Sequence, residues 1–338
     1  MGSGTPSRYA AAQEFSADTT RESVVSEQLA TEVTAMRARL ILAFVIGMIS
    51  FATSAFADPD PNFYIYLCFG QSNMESGGRM DDIDRSVDKR FQVMADFDSE
   101  KRGWTKGQWY QAMPPISARG NGICMVDYFG RTMVANLPSN IRVGVIKCSV
   151  PGCKIELFEK RTFQTYAATV QPWMTSYIKS YGGNPYQWLV DQGKLAQKDG
   201  VIKGILLHQG ESNPGDKQWP SKVKGIYDNL IKDLNLKPED VPLLAGETVN
   251  ADQKGTCAGF NKIMAKLPQS LPNAYVISSA GCTCNTDHLH FNAAGSRELG
   301  NRYGEKMLSL SGYQVKERPA TQPSASTPAS VPQSASKQ

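Results

Sequence analysis

Histidine is scarce in this chain of 338 residues, which contains only His208, His288 and His290. Because histidine is the usual general base at neutral pH, this scarcity confines acid–base chemistry to two short segments. The sequence also lacks a P-loop and the glycine pattern of a dinucleotide site. No nucleotide site is therefore expected, and no cofactor is predicted.

Dense runs of one charge are missing as well. The formal net charge is +4, and lysine and arginine are scattered along the chain rather than clustered. A nucleic-acid partner is therefore not expected, because such proteins concentrate their positive charge on one face. Hydrophobic residues make up 41% of the chain, enough for one large domain or two small ones.

The N-terminal region has the pattern of an export signal. Met36 and two arginines precede an apolar stretch from Leu40 to Phe51, and residues 55–57 match the small-x-small cleavage pattern. We predict a signal peptide over 36–57, a mature start at Asp58 and a secreted or periplasmic protein without stable membrane association. An uncleaved anchor is the alternative, but the apolar run is short for a span. Residues 1–35 are interpreted as a non-native or mis-called extension.

The C-terminal segment, residues 315–338, is almost entirely Pro, Ser, Ala, Thr and Gln from Pro319 onward. Such a composition has nothing to bury, so disorder is predicted. The segment resembles linkers between modules of secreted enzymes. A second module beyond it has either been removed or was never present, and residues 58–314 are left as the predicted functional domain.

Seven cysteines follow the predicted signal. Export permits disulfides, and an odd count leaves at least one thiol unpaired. Cys68 lies in an apolar run and is expected to be an inert core residue. A bridge from Cys257 to Cys282 or Cys284 is the favoured pairing, although spacing alone does not decide it.

Short continuous apolar runs indicate buried strands. Five such runs occur: Phe63–Phe69, Ile141–Cys148, Ile202–His208, Val241–Gly246 and Ala274–Ser278.

Helical patterns lie between or after these runs. Asn184 followed by Pro185 is a good helix start, and Asn292 is a second candidate N-cap. Ile226, Leu230 and Leu234 are four apart, as on one helical face. Strands alternating with helices predict an α/β fold with a mostly parallel five-stranded sheet covered on both sides.

Three polar clusters follow three of the predicted strands. They are residues 70–74 (GQSNM), 208–212 (HQGES) and 287–291 (DHLHF). Because parallel strands gather their carboxyl ends at one edge of a sheet, these clusters should converge there.

Ser72 and His290 are the candidate nucleophile and base. A serine hydroxyl is a poor nucleophile until a base takes its proton, and a strand-to-helix turn exposes the hydroxyl beside free backbone N–H groups. A serine in this position can also be a simple helix cap. Asp287 stands three residues before His290, close enough to orient its imidazole. His288 shares the loop at a less suitable offset.

Together these three clusters resemble those of the SGNH hydrolases, and among them carbohydrate esterase family 6 and the sialate O-acetylesterase-like group. The resemblance extends from about Phe63 to Leu308. It implies a flavodoxin-like three-layer α/β/α fold, metal-free hydrolysis and deacetylation of plant polysaccharides such as acetylated xylan. An acetylated polysaccharide or oligosaccharide is then the expected partner.

The resemblance also implies roles for individual residues. Ser72 would be the nucleophile, and its own N–H would form an oxyanion hole with the N–H of Gly152 and the side-chain amide of Gln209. His290 would be the base. Asp287 is favoured as the acid that orients it, with Glu211 as the alternative.

Further residues are expected around the sugar. Gln71 and Asn73 are the named candidates for substrate binding, whereas no single tryptophan is favoured.

The sequence also allows other functions. Cys282, Cys284, His288 and His290 offer zinc ligands, although their spacing is tight. A non-catalytic carbohydrate-binding module would not need serine, glutamine and histidine together. Within the SGNH chemistry, the substrate could instead be sialic acid, another acetylated glycan, a lipid or a thioester.

Overall fold

The computed structural model describes residues 31–40 and 58–316. The chain divides into two units, Met1–Ala57 and Asp58–Gln338. In the first unit, residues 31–40 form a helix whose side chains are exposed. The remainder of the predicted signal core after Leu40, the cleavage site and the tail from residue 317 lie outside the described residues. Within the described part of the chain, no helix is both long and apolar enough to cross a membrane.

The second unit is built on a seven-stranded sheet with the spatial order β3-β2-β4-β1-β5-β6-β7. All neighbouring strands are parallel except β2 and β3, which are antiparallel. The strands are β1 (Phe63–Gly70), β2 (Phe91–Met94), β3 (Trp109–Gln111), β4 (Arg142–Ser149), β5 (Val201–His208), β6 (Leu243–Gly246) and β7 (Ala274–Ile277).

Nine α-helices accompany the sheet in the second unit's described residues. They are α1 (Ser72–Glu75), α2 (Met125–Asn136), α3 (Phe163–Ala167), α4 (Pro172–Ser180), α5 (Pro185–Ala196), α6 (Trp219–Asp233), α7 (Asn261–Met264), α8 (Leu267–Ser270) and α9 (Ala293–Leu310). Short 3-10 turns occupy Asp82–Arg85, Glu100–Arg102, Ile155–Phe158, Pro238–Asp240, Ala251–Gln253 and Ala258–Phe260.

The core lies on both faces of the sheet. Along β1, Ile65 and Leu67 belong to one buried cluster and Tyr66 and Cys68 to the other, because successive side chains of a strand point to opposite faces. Helices α5 and α6 supply the first cluster, and α2 and α9 supply the second. The result is the predicted three-layer α/β/α arrangement.

Five of the strands are those predicted from apolar runs, but the predicted strand count was too low. The additional strands, β2 and β3, contain only four and three residues. Strand β3 is half-exposed and antiparallel, at the edge of the sheet. Runs this short carry too little periodicity to be distinguished from loop.

Both predicted helix caps are confirmed. The Asn184 side chain accepts a hydrogen bond from the N–H of Gln187, and that of Asn292 accepts one from Gly295. The second cap starts α9 directly after the loop that carries His290, so it fixes where that loop ends.

The predicted bridge from Cys257 was wrong. All seven cysteines are free thiols, and Cys68 is fully buried as expected. Cys257 instead directs its sulfur to the carbonyl of Glu211, and Cys284 lies against the carbonyl of Gln253.

The register of the central strands decides where their loops meet. Gly70 at the end of β1 pairs with Ser149 of β4 on one side and with His208 of β5 on the other. The three strands therefore end at the same level, and the loops that follow them share one edge of the sheet. This is the crevice where parallel α/β sheets hold their ligands.

Candidate active site

Ser72, His290 and Asp287 form one continuous chain of hydrogen bonds at this edge. The Oγ of Ser72 lies 2.8 Å from the Nε2 of His290, and the Nδ1 of the same ring lies 2.7 Å from the Oδ2 of Asp287. Ser72 is the first residue of α1, and Gln71 is the N-cap. The hydroxyl thus contacts the imidazole and does not cap the helix.

Asp287 is held as a carboxylate. Burial raises its pKa, but hydrogen bonds from the His290 ring and from the backbone N–H groups of Leu289 and His290 outweigh burial and lower the pKa to about 2. Its Oδ1 accepts both backbone bonds, at 2.9 and 3.0 Å, which leaves Oδ2 for the ring. The loop therefore fixes both the charge and the orientation of this acid.

Glu211, the alternative acid, lies elsewhere. Its Oε1 contacts the Nε2 of His208 at 3.3 Å and accepts a hydrogen bond from Asn73 at 2.7 Å. Burial raises its pKa, yet the bonds from His208 and Asn73 keep the pKa below its ordinary value. Of the two candidate acids, only Asp287 contacts the ring of His290.

Asn73 joins the serine turn to the histidine loop. Its Nδ2 donates to Glu211 and to the carbonyl of Leu289, and its Oδ1 accepts from the N–H of Phe291. These bonds involve the residues on either side of His290. The buried amide was expected to bind sugar, but the structure gives it bonds to protein that set the distance between Ser72 and His290.

Two backbone N–H groups beside Ser72 have no acceptor among the described residues. One is that of Ser72 itself, which opens α1, and the other is that of Gly152 in the loop after β4. The Gly152 loop adjoins the serine turn because the N–H of Val150 donates to the carbonyl of Gly70. Free N–H groups of this kind can stabilise a negatively charged oxygen.

Gln209 was expected to supply a third donor, and the structure uses its amide differently. The side chain is fully buried, and its Nε2 donates to Asn213, Gln71 and the carbonyl of Cys153. Its Oε1 accepts from the Trp219 indole at 2.6 Å. With both ends engaged in protein bonds, this amide braces the loops and has no free proton for an oxyanion.

The side-chain oxygen of Gln71 also connects neighbouring loops. Its Oε1 accepts from Gln209 and from the N–H groups of Gly210 and Ser212. Ser212 in turn donates through Oγ to the carbonyl of Gly152 at 2.9 Å. The loops after β1, β4 and β5 are thereby tied together, whereas contact with sugar was expected for this side chain.

The two histidines considered as zinc ligands make separate contacts with the protein. The Nε2 of His290 contacts Ser72, while the Nδ1 of His288 lies 3.0 Å from the carbonyl of Gln253. Over residues 31–40 and 58–316, no group of three or more His, Cys, Asp or Glu side chains is arranged to hold a metal ion.

Residues 62–309 match the family model described as carbohydrate esterase, sialic acid-specific acetylesterase. That span covers most of the chain and every residue of the site.

The chain belongs to this family of carbohydrate esterases.

This carbohydrate esterase is similar to a curated protein in sequence and to solved structures in fold. A probable carbohydrate esterase of Arabidopsis thaliana is 25% identical over 264 residues, 74% of this chain and 92% of the relative. A solved structure of the Arabidopsis thaliana protein superposes with a TM-score of 0.57 at 19% identity, covering 74% of this chain and 99% of that one.

Two further solved structures have a similar fold. NanS gives a TM-score of 0.55 at 16% identity, over 75% of this chain and 99% of its own. A carbohydrate acetylesterase from Xanthomonas citri gives 0.51 at 16% identity, over 73% of this chain and 56% of its own.

A buried ion pair next to the serine turn was not identified from the sequence. Lys147 of β4 is 1% exposed and directs its ammonium to the carbonyls of Met74 and Glu75, at the end of α1. The Glu75 carboxylate lies 3.5 Å away and also accepts a hydrogen bond from Ser149. Burial lowers the pKa of Lys147, but Glu75 and other carboxylates outweigh burial and hold the pKa above its ordinary value.

The only sequence signal for this ion pair was a lysine inside an otherwise apolar strand. A charged residue at such a position needs a buried partner. Glu75 lies 72 residues away along the chain, so nothing local identifies it as that partner.

Proposed function

We propose that this carbohydrate esterase is a serine esterase that removes O-acetyl groups from acetylated xylan through an acetyl-serine intermediate. The observation that carries the proposal is the unbroken hydrogen-bonded chain from Ser72 through His290 to Asp287. On the strength of the predicted signal peptide, we also infer that the enzyme acts outside the cytoplasm.

The geometry supports a two-step acyl transfer. Ser72 Oγ attacks the acetyl carbonyl while His290 takes the hydroxyl proton through Nε2, and Asp287 stabilises the imidazolium that forms. The backbone N–H groups of Ser72 and Gly152 are the proposed donors to the oxyanion. The sugar alcohol leaves with the proton from His290, and water repeats the sequence to release acetate.

Gln209 is proposed as a positioning residue and not as a third donor. Its amide holds together the loops that carry Ser72 and Gly152. The oxyanion would then be bound by backbone donors alone.

A second candidate substrate is an O-acetylated sialic acid. The description of the matching family favours it, since that description names a sialic acid-specific acetylesterase. The xylan proposal instead follows the resemblance of the site motifs to carbohydrate esterase family 6. Both substrates require the same chemistry at Ser72.

Acetate release from acetylated xylan and from 9-O-acetyl-N-acetylneuraminic acid, measured side by side on the full chain, separates the two. We expect release from xylan, and release from the sialic acid alone would replace xylan by the second candidate. The Ser72→Ala variant is expected to release none from either. Release by Ser72→Ala at the wild-type rate would exclude the proposed nucleophile, and release by neither protein would contradict both substrates.

A further inference from the structure

One tryptophan differs from the other four in its surroundings. Trp104, Trp188 and Trp219 are buried, and Trp109 is half-buried against the sheet edge. Trp173 is 51% exposed and is the only aromatic side chain among the large exposed hydrophobic residues in the described part of the chain. A single exposed apolar side chain needs no special explanation, so its meaning depends on where it lies.

Trp173 lies beside the candidate oxyanion site. A Cβ placed on Gly152 would stand 3.2 Å from the Cη2 and 3.7 Å from the Cζ2 of the Trp173 ring. The Gly152 loop is itself bonded to the serine turn and to Ser212. The indole therefore lies against the loop that carries a candidate oxyanion donor.

The ring is held on a rigid support. Trp173 is the second residue of α4, whose Met174 and Ile178 are buried in the core. One turn further, the Tyr177 ring lies 6.4 Å away at an interplanar angle of 87°, an edge-to-face contact. Contacts at an edge stabilise the orientation of the indole and still leave it half-exposed to solvent.

We propose that Trp173 is a sugar-stacking subsite, which receives the apolar face of the pyranose ring whose acetyl group is bound at Ser72. The inference rests on the proposed esterase function, since the sugar alcohol is the leaving group and its ring must lie close to the oxyanion donors. Carbohydrate rings present a face of C–H groups that packs on an aromatic plane. Small-molecule sites combine apolar and aromatic side chains with a few convergent polar groups.

The test compares sugar and non-sugar esters in the full chain. The kcat/KM is measured for acetylated xylobiose, for penta-O-acetyl-glucopyranose and for ethyl acetate, which has no ring to stack. We expect Trp173→Ala to lower the ratio of sugar ester to ethyl acetate roughly five- to tenfold, mainly through KM, the size of one aromatic contact. Trp173→Phe should restore part of that ratio.

Val315→Ala is the matched control, because Val315 is also an exposed hydrophobic residue. It neighbours Lys316, which bonds Asn136 at the end of α2, away from the carboxyl edge of the sheet. We expect its ratio to equal that of the wild type.

Each other outcome has a distinct meaning. An equal loss on all three esters in Trp173→Ala would show that the indole only supports the Gly152 loop, and an unchanged ratio would overturn the subsite. A wild type that cleaves ethyl acetate but neither sugar ester would overturn it too. A wild type that cleaves none of the three would instead contradict the proposed esterase function.

Discussion

At the scale of single residues, the chemistry of the site depends on which side-chain donors and acceptors are not already used in hydrogen bonds that support the loops. Asp287 uses one carboxylate oxygen for two backbone N–H groups and the other for His290. Gln209 uses its whole amide within the protein, although its place in the motif suggested a catalytic donor. Residue type alone made Asp287 and Gln209 equally plausible as catalytic groups. Their hydrogen bonds distinguish them, because Asp287 contacts the His290 ring and Gln209 bonds only to residues that support the loops.

Replacing Asp287 by Asn tests the assignment of the acid. The amide keeps the volume but cannot stabilise the imidazolium, so we expect kcat to fall by about 10³-fold or more. Acetate release at saturating substrate measures the effect. Asp82→Asn, a change at a fully exposed aspartate in a surface ion pair with Arg85, should leave kcat unchanged.

The low pKa of Asp287 also predicts a pH-dependent difference in stability. A carboxyl whose folded-state pKa is lowered from 3.8 to about 2 stabilises the fold above 3.8 and loses that contribution as the pH falls through about 2. The gap in Tm between wild type and Asp287→Asn should therefore close as the pH falls from about 4 towards 2. Thermal unfolding followed by circular dichroism measures it. A gap that stays unchanged between about pH 4 and pH 2 would contradict the hydrogen-bonded carboxylate.

At the scale of elements, the serine turn is positioned by the neighbouring strands β4 and β5. Helix α1 has only four residues, too few to be stable alone, and its last carbonyls are bonded by the buried Lys147. The turn before it needs a glycine as well, since a Cβ on Gly70 would lie 2.0 Å from the carbonyl oxygen of His208. The position of the nucleophile is therefore set by β4 and β5 as much as by α1.

Replacing Lys147 by Met should destabilise the protein strongly. The change leaves the Glu75 carboxylate buried without its cation, a loss of roughly 3–5 kcal/mol in the free energy of unfolding. Urea denaturation measures this loss. The Lys147→Met, Glu75→Gln double variant should recover part of it, and a double variant no better than the sum of the single changes would contradict the pairing.

The Gly152 loop provides a second test at this scale. Gly152 has φ of 69°, and a Cβ there would press on Trp173 at 3.2 Å. Gly152→Ala should therefore cost about 1–2 kcal/mol of stability and displace an oxyanion donor. We expect kcat to fall about tenfold or more while the protein remains folded. Gly215→Ala controls for backbone strain alone. Gly215 also has a positive φ, of 81°, but nothing lies within 4 Å of a Cβ added there.

At the scale of the whole molecule, stability comes from two apolar clusters on the faces of one sheet and not from cross-links. The two clusters together include buried residues from six of the seven strands, β1, β2, β4, β5, β6 and β7. All seven cysteines are free, and burial raises the pKa of several of them, Cys124 to about 12 and Cys282 to about 11. Buried thiols with raised pKa are poor nucleophiles and oxidise slowly.

The free thiols give a prediction for the intact protein. The Tm should be the same with and without dithiothreitol, and thiol titration after unfolding should count seven groups. A native disulfide would instead be worth about 2–5 kcal/mol, which reduction would remove. A lower Tm in the reducing agent, together with fewer titrated thiols, would contradict this arrangement.

The sequence alone determined the α/β class, five of the strands, both asparagine caps and the grouping of Ser72, His290 and Asp287. These follow from local patterns: apolar runs of strand length, a capping residue before a helix, and an acid three residues before a histidine. The convergence of distant clusters also follows, because parallel strands end at the same edge of a sheet.

Only the tertiary structure decided how the amides and charges of the site are used. Gln209 bonds with Gln71, which lies 138 residues away, and Lys147 pairs with Glu75 at a separation of 72. Such partners come together through strand register and helix packing, which local sequence does not encode. For the same reason, the exposed Trp173 could not be told from the buried tryptophans until its neighbours across the chain were known.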